Sequence, residues 1–509
     1  MSRNSINREN AGGRSLLFSP FPFLRVMIVL LLVAGLGMLI SSMMNLLPIV
    51  NSAKVVSGLG MLSTAFSALL IGAIILTIII VLRQDQLAAV VVIAVHLYVD
   101  WYLGLALVAH VLALALLVFF FLSRSPRFPW GEPRALWLWG LFLILTIAPA
   151  TRGALTPHDT LNYYPNIVLG ALIMFWLGTV IARDTASVRR FFQVLSLFGS
   201  LIAVHTIVQT ELGITLLGSS QVDAYLTTTS NYQLVTGAAI YRLGSFFVDP
   251  NWNGTFLAVM LFIPLGLFVE SSSLPAKVLY VAEALIILPA LLFTYSTGAW
   301  TAACAGVVAF IVLNGRSRYR IQFSLLIGLA IAFLFLWFPD QLALLSQHAT
   351  GPDELSLRIG AWETALRVIA AYPLTGIGLG RLAYQLRAEP YRVPAQYIPL
   401  DHPHNAYLEY GAMGGLPVLL VFLALLLFAL WQALRNWTQA AVPARALLGG
   451  GIAAIVTLSV NSWSIDGWTL PPLVATGWLL LGALSSPLLR QGWYPGSTGR
   501  EKSLGAGEA

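Results

Sequence analysis

The residues best suited to chemistry lie between Leu355 and Gly415. This stretch holds five arginines (Arg358, Arg367, Arg381, Arg387 and Arg392) and two histidines, His402 and His404, between long apolar runs. Guanidinium groups bind phosphate-type oxyanions through paired hydrogen bonds. Histidine titrates near neutral pH and suits general-base work. Plainer readings stand beside these. Apolar residues at Ile359, Trp362, Leu366 and Ile369 predict one helix face, preceded by Asp353 and Glu354 and ended by Tyr372-Pro373. On such a helix Arg358 would serve equally as an anchor for lipid headgroups. Gly376, Gly378 and Gly380 alternate, which suits a tight or closely approached backbone. They do not form a dinucleotide fingerprint, since no strand precedes them and the third spacing is wrong.

Three readings compete for Asp401-His402-Pro403-His404-Asn405: a general base, a metal site of His402, His404 and Asp401, and a polar interfacial turn. No other histidine or cysteine cluster completes the metal set. A second block runs from Tyr241 to Asn251. There Arg242, at the mouth of a helix, either binds a phosphate or snorkels to the membrane interface. Polar groups also fall inside apolar runs: His96 and Asp100, His110, His205 with Gln209, and Glu283. Such residues are functional candidates by default and support a transport reading.

The elements that carry these residues are membrane helices. The chain is 58% apolar and 10% charged, against about 25% charged in a soluble globular protein. Apolar runs lie near 23–47, 55–82, 87–122, 135–150, 164–182, 191–217, 254–270, 278–295, 298–314, 321–338, 406–433, 446–463 and 471–487. A break near Asp100-Trp101 divides the third, because one span needs only about 20 residues. The fold class is all-α, a polytopic bundle of 12 to 14 spans. Residues 1–22 and 488–509 are expected to be disordered cytoplasmic tails. Residues 23–338 form an N-terminal bundle, 339–405 a large external loop with amphipathic helices, and 406–487 the C-terminal helices. The first run has no small-residue cleavage site and reads as a retained helix. Cys304 is the single cysteine, which excludes an intrachain disulfide.

Charge orients the bundle. With the N-terminus inside, the predicted cytoplasmic segments hold 20 of the 28 lysines and arginines, as the positive-inside rule requires. The net charge of +7 therefore points to membrane topology rather than nucleic acid. The outer eight are Lys54, Arg152, Arg242, Arg358, Arg367, Arg381, Arg387 and Arg392, and six of them fall in two outer loops, 218–253 and 339–405. Long loops cross regardless of charge, so these arginines need another reason to be there.

Four motifs occur in order: Arg242-x-x-Gly with Pro250-Asn251, Ser356-Leu-Arg358 with Trp362, Pro373-Leu-x-Gly-x-Gly-x-Gly380, and His404-Asn-x-Tyr-Leu-Glu409 with Gly414-Gly-Leu-Pro417. Over about residues 235–435 the chain resembles the superfamily of O-antigen ligases and Wzy-type polysaccharide polymerases. The resemblance implies a GT-C-like glycosyltransferase in the bacterial inner membrane, working on the external face without a metal or cofactor. It implies a glycan on undecaprenyl diphosphate as donor and a sugar, lipid-core or protein hydroxyl as acceptor. Other polysaccharide-assembly proteins are candidate partners alongside membrane lipids. The family's catalytic histidine falls on His404 and its loop arginine on Arg358. Asn251, Asn405, Arg381, His402 and Thr297 are candidate substrate-binding residues. Where many members carry Ser-Arg-Gly at the outer start of a helix, this chain reads Ser296-Thr297-Gly298, and Arg242 is the natural substitute for the missing cation.

The chemistry fits that assignment. A diphosphate leaving group gathers charge as the sugar bond breaks, and fixed guanidiniums stabilise it. The alternative is a lipid-linked glycan transporter or flippase, which predicts charged residues along a path through the bilayer and internal repeats. No clear repeat is present, and the charge sits in an outer loop. Translocation of glycolipid without bond formation would favour the transporter.

Overall fold

The structure, a computed structural model, describes residues 79, 85–97, 106–124, 133–155, 163–212, 232–235, 238–247, 249–314, 320–340, 342–343, 346, 352–393 and 402–491. The expected N-terminal tail, the run at 23–47, nearly all of 55–82, Asp100, Asp401 and the tail beyond 491 lie outside these residues. The helices are α1 (Asp85–Val95), α2 (Ala106–Arg124), α3 (Pro133–Gly153), α4 (Gly170–Ile181), α5 (Thr185–Leu212), α6 (Pro250–Met260) and α7 (Phe262–Glu270). They continue as α8 (Leu274–Phe293), α9 (Thr297–Asn314), α10 (Arg320–Trp337), α11 (Pro352–Ala371), α12 (Arg381–Ala388), α13 (Ala406–Gly414), α14 (Leu416–Gln439), α15 (Val442–Asn461) and α16 (Pro471–Ser485). Among the described residues the architecture is all-helical apart from one short antiparallel hairpin, β1 (Tyr232–Val235) with β2 (Ala238–Tyr241), in the segment that leads to Arg242.

Among the described residues eight helical stretches are long and apolar enough to cross a membrane: α3, α5, α6 with α7, α8, α9, α14, α15 and α16. Three shorter apolar helices, within α1, α2 and α4 with the turn before it, join them. The predicted break in the run at 87–122, near Asp100-Trp101, lies outside the described residues. The run at 406–433 is divided at Gly415, whose φ of +84° breaks the helix before Pro417 can start the next. Close helix approach rests on small residues. On Gly178 of α4 a Cβ would sit 2.2 Å from the Leu479 carbonyl oxygen of α16.

The two ends of the bundle differ. At one end Arg183 pairs with Asp85, and Arg189 with Glu270. All four belong to segments on the predicted cytoplasmic side. The span from Pro250 to Glu270 has 21 residues, about 30 Å of helix, so Asp249 and Asn251 lie at the far end from Glu270. That far end gathers the described residues of four segments predicted to be external: 242–247 with 249–251, 296–297, 352–393 with 402–405, and 464–470.

The large loop is fixed there by a small apolar core of its own. Ala365 and Val368 of α11, Ile377, Leu379, Tyr384 and Ala388 pack on Ala412 and Met413 of α13. The glycine run lies against backbone, as its spacing predicts. Gly376 has a φ of +59°, and a Cβ there would sit 2.3 Å from the Met413 carbonyl oxygen. The amides of Ile377, Gly378 and Leu379 donate to the carbonyls of Ala412, Met413 and Pro149 at 3.0, 3.0 and 2.8 Å. Two outer arginines complete the seam. Arg387 donates to the carbonyls of Arg152 (2.8 Å) and Ile377 (2.5 Å), and Arg152 donates to Thr375 Oγ1 and the Gly376 carbonyl, each at 3.3 Å. Their reason to be outside is to tie α3 to the loop.

Candidate active site

Two capped helix starts set the site. Asp249 caps α6, its carboxylate accepting from the amides of Asn251 (2.7 Å) and Trp252 (3.3 Å), with Pro250 in the first turn. Asn405 caps α13 in the same way, accepting from Tyr407 (3.0 Å) and Leu408 (3.1 Å). The Asn405 amide donates to the Trp463 carbonyl at 2.9 Å. Both ends of the Asn405 side chain are thus engaged in holding the loop rather than presented to a ligand.

Arg242 is buried and fixed from two directions. Its Nε donates to the Thr294 carbonyl at 3.0 Å, and a terminal nitrogen donates to Asn251 Oδ1 at 2.6 Å. The Leu243 amide donates to the Phe293 carbonyl at 3.2 Å. Thr294 lies three residues before Thr297, the first residue of α9. The Arg242 guanidinium thus lies beside the helix break that precedes Thr297. Behind it, Asn253 donates to the Leu243 carbonyl and to Thr206 Oγ1, each at 3.1 Å, and His205 Nδ1 lies 2.7 Å from Ser245 Oγ.

The hub of the site is Asp466, in the short turn between α15 and α16. It is fully buried. Trp252 Nε1 donates to its Oδ1 at 2.9 Å, Arg381 forms an ion pair with its Oδ2, and His402 Nε2 lies 4.0 Å from that oxygen. The Arg381 guanidinium also lies over the Trp252 ring at 6.0 Å. Burial alone would push the Asp466 carboxyl up, but Arg381, His402 and His404 outweigh it and hold it below the usual carboxylate range. Glu409, one turn into α13, accepts from Tyr163 Oη at 2.5 Å and Thr469 Oγ1 at 2.6 Å. Burial pushes Glu409 up, against the pull of Arg381 and His402. Burial likewise pushes Asp249 up, against the pull of Arg242.

His404 is half-buried, and its ring centroid lies 4.0 Å from that of His402. Its φ is +51°, a left-handed value that costs a non-glycine residue about 1–3 kcal/mol. Among the described residues only two other non-glycine residues share it, Ser245 (50°) and Tyr295 (47°). One follows Arg242, the other follows Thr294, and the third is the candidate base. All the strain of this type sits around one site. Arg358 lies half-buried in the second turn of α11, the helix that packs against α13. Arg367 instead pairs with Glu363 at 2.6 Å along the exposed helix face. Among the described residues no group of three histidine, cysteine or acidic side chains is set to hold a metal.

Residues 283–423 match the O-antigen ligase family model. That region is similar to an O-antigen ligase domain. It runs from α8 into α14 and contains Thr297, Arg358, Arg381, His402, His404 and Glu409. No curated protein and no solved structure matches the chain. The matched region does not close the site alone, since Arg242, Asp249, Trp252 and Asp466 lie outside it. This is a multi-pass membrane protein with a region similar to the O-antigen ligase family, a likeness that implies a glycosyltransferase.

Asp466 and Asp249 are site residues that the sequence reading does not single out, and Glu409 enters it only as a motif position. Asp466 had a signal: residues 464–470 fall on the predicted external side, and Asp466 is their only charged residue. Asp249 had one too, since an acid directly before Pro-Asn at a helix start is a capping pattern.

Proposed function

We propose that the chain transfers a glycan from a polyprenyl diphosphate to an acceptor hydroxyl at the external face of the membrane. Both termini lie in the cytoplasm in this reading. The observation that carries it is the meeting of Arg242, Arg381, His402 and His404 around Asp466 and Asp249. These residues come from distant segments and meet at one end of the bundle. Arg242 and Arg358 would hold the diphosphate, with Arg242 in the role of the arginine missing at Thr297. Arg381 stands behind them, oriented by Asp466. As the sugar–phosphate bond breaks, its electron pair moves to the diphosphate oxygen, where fixed guanidiniums in a water-poor site stabilise it best. His404 accepts the acceptor's hydroxyl proton as the new glycosidic bond forms.

Asn251 orients Arg242 through its 2.6 Å hydrogen bond and borders the diphosphate position. Expressed in a strain lacking the native gene, Arg358→Ala and His404→Ala should each abolish the glycan product while the protein still inserts in the membrane. Normal product from both variants would contradict the proposal. The glycan left in the deletion strain separates two forms of the reaction. Shortened chains indicate polymerisation, and full-length lipid-linked glycan indicates ligation.

A further inference from the structure

At the end of the bundle away from the candidate active site, α3, α4, α14 and the end of α16 line a shallow groove, open on one side. Hydrogen bonds fix its place. Ser486 Oγ donates to the Thr179 carbonyl at 2.8 Å, and Asn436 Nδ2 donates to the Leu484 and Ser486 carbonyls at 2.8 and 3.0 Å. Thr179 lies one turn before Arg183, the partner of Asp85. Phe175, Trp176 and Phe428 form the apolar wall. Of the polar lining, the hydroxyls of Thr179 and Ser485 are engaged with carbonyls of their own helices, Trp176 at 2.7 Å and Gly482 at 3.3 Å. Gln432 and Arg490 differ. Arg490 donates to Gln432 Oε1 at 2.8 Å, which fixes the orientation of the amide and makes Nε2 a donor. Gln432 is only 3% exposed, and among the described residues its Nε2 has no acceptor. A buried donor without an acceptor costs stability, so this groove suits a ligand that brings one.

The ligand's charge and source follow from the surroundings. None of the four helices carries an acidic residue, whereas Arg134, Arg435 and Arg490 lie near their ends on this side. Asp184, the first acid beyond α4, accepts from the Ser187 amide at 2.7 Å and lies beside Arg183 and Arg190. Trp137 of α3 and Leu427 and Trp431 of α14 are exposed, as on the lipid-facing side of a span. The Arg435 guanidinium lies 5.8 Å from the centre of the Trp431 ring. Exposed tryptophan with arginine at a span end sits at headgroup level. At that depth the surrounding acceptors are phospholipid phosphates. We infer that this groove binds an anionic phospholipid, with Arg490 and Gln432 Nε2 donating to phosphate oxygens and an acyl chain against Phe175, Trp176 and Phe428. Basic pockets between spans recognise anionic headgroups in this way on the cytoplasmic side of membranes, which is the side of this end in the orientation proposed above. The site is independent of the transfer chemistry at the opposite end.

Native mass spectrometry of the full-length protein in detergent, titrated with phosphatidylglycerol, reads the site directly. The wild type should retain one tightly held lipid. Arg490→Gln should weaken that binding about tenfold, the effect of losing one charge-assisted hydrogen bond. Gln432→Leu, which keeps the packing and removes the donor, should weaken it about threefold, and it decides the matter if Arg490→Gln fails to fold. Arg183→Gln, at the same end but outside the groove, should bind like the wild type. Unchanged affinity in Arg490→Gln or in Gln432→Leu would overturn the proposal. Equal weakening by Arg183→Gln would overturn it too, since the effect would then belong to the general charge of that end. Phosphatidylcholine held as tightly as phosphatidylglycerol would contradict the choice of an anionic lipid. Displacement of the lipid by inorganic phosphate would make the site one for soluble anions and contradict the choice of a lipid.

Discussion

The two ends of this bundle use charge in opposite ways. At the end bearing Asp85 and Glu270, acids and arginines meet as pairs whose guanidiniums are nearly half exposed, at 43% for Arg183 and 48% for Arg189. Such pairs are worth about 0–1 kcal/mol. They ask little of the backbone around them. At the other end Asp466 and Glu409 are fully buried, Arg242 and His402 nearly so, and the backbone is strained at Ser245, Tyr295 and His404. Burial of charge and strain both cost stability, and the structure concentrates them where the matched region meets its flanking segments. One end follows from topology alone. The other is kept against its cost, which is the physical mark of a working site.

The sharpest way to break this contrast is Asp466→Asn. It leaves Arg381 and His402 facing a neutral group in a buried site, where removing one partner costs about 3–5 kcal/mol. Transfer should fall by about a thousandfold, and thermal unfolding should shift well down. The pH dependence has a definite sign. The Asp466 carboxyl is held below its unfolded value of about 3.9, so its contribution to stability is complete above that pH. It is lost as pH falls through the folded-state value. Unfolding scans from pH 3 to 7 should therefore show the wild type's advantage over Asp466→Asn shrinking at the acid end. An advantage independent of pH would contradict the assignment.

Arg242→Ala comes next. Loss of one charge-stabilising donor at a transfer centre typically costs about 10²–10³-fold in rate, and that is the range expected in a transfer assay. Wild-type rates would remove Arg242 from the site and leave the position at Thr297 without a cation. Gly376→Ala should have a smaller effect. Its left-handed backbone and the 2.3 Å approach to Met413 force a local shift, expected to destabilise the loop by about 1–3 kcal/mol. Faster proteolysis between α11 and α12, with about tenfold slower transfer, would be the sign. Arg183→Ala and Arg189→Ala should do least to transfer, leaving it unchanged, whatever they cost in stability by unpairing Asp85 and Glu270. A large loss of transfer from either would erase the difference between the two ends.

Much of the fold was legible because its signals are local. Apolar runs locate the spans, Tyr372-Pro373 ends α11, and the glycine alternation marks the close backbone seam with α13. Of the candidate residues named from the sequence, Arg242, Arg381, His402 and His404 do converge. What the sequence hides is which cation serves which partner. Arg381 and Arg387 lie on one short helix with no local difference, yet Arg381 pairs with Asp466 and Arg387 ties backbone to α3. The partner of Arg381 is 85 residues away, beyond any periodicity. Asn405 looks like a ligand residue by its neighbours, yet its hydrogen bonds make it a helix cap.

The central claim is that the strained, buried-charge end performs glycosyl transfer with His404 as base. The most direct measurement uses the purified full-length protein with an undecaprenyl-diphosphate-linked oligosaccharide and a lipid-core acceptor, and follows acceptor-dependent release of undecaprenyl diphosphate. The wild type should release it, and His404→Ala should release less than about one part in a hundred of that amount, in keeping with loss of a general base. Equal release by the two proteins would contradict the claim.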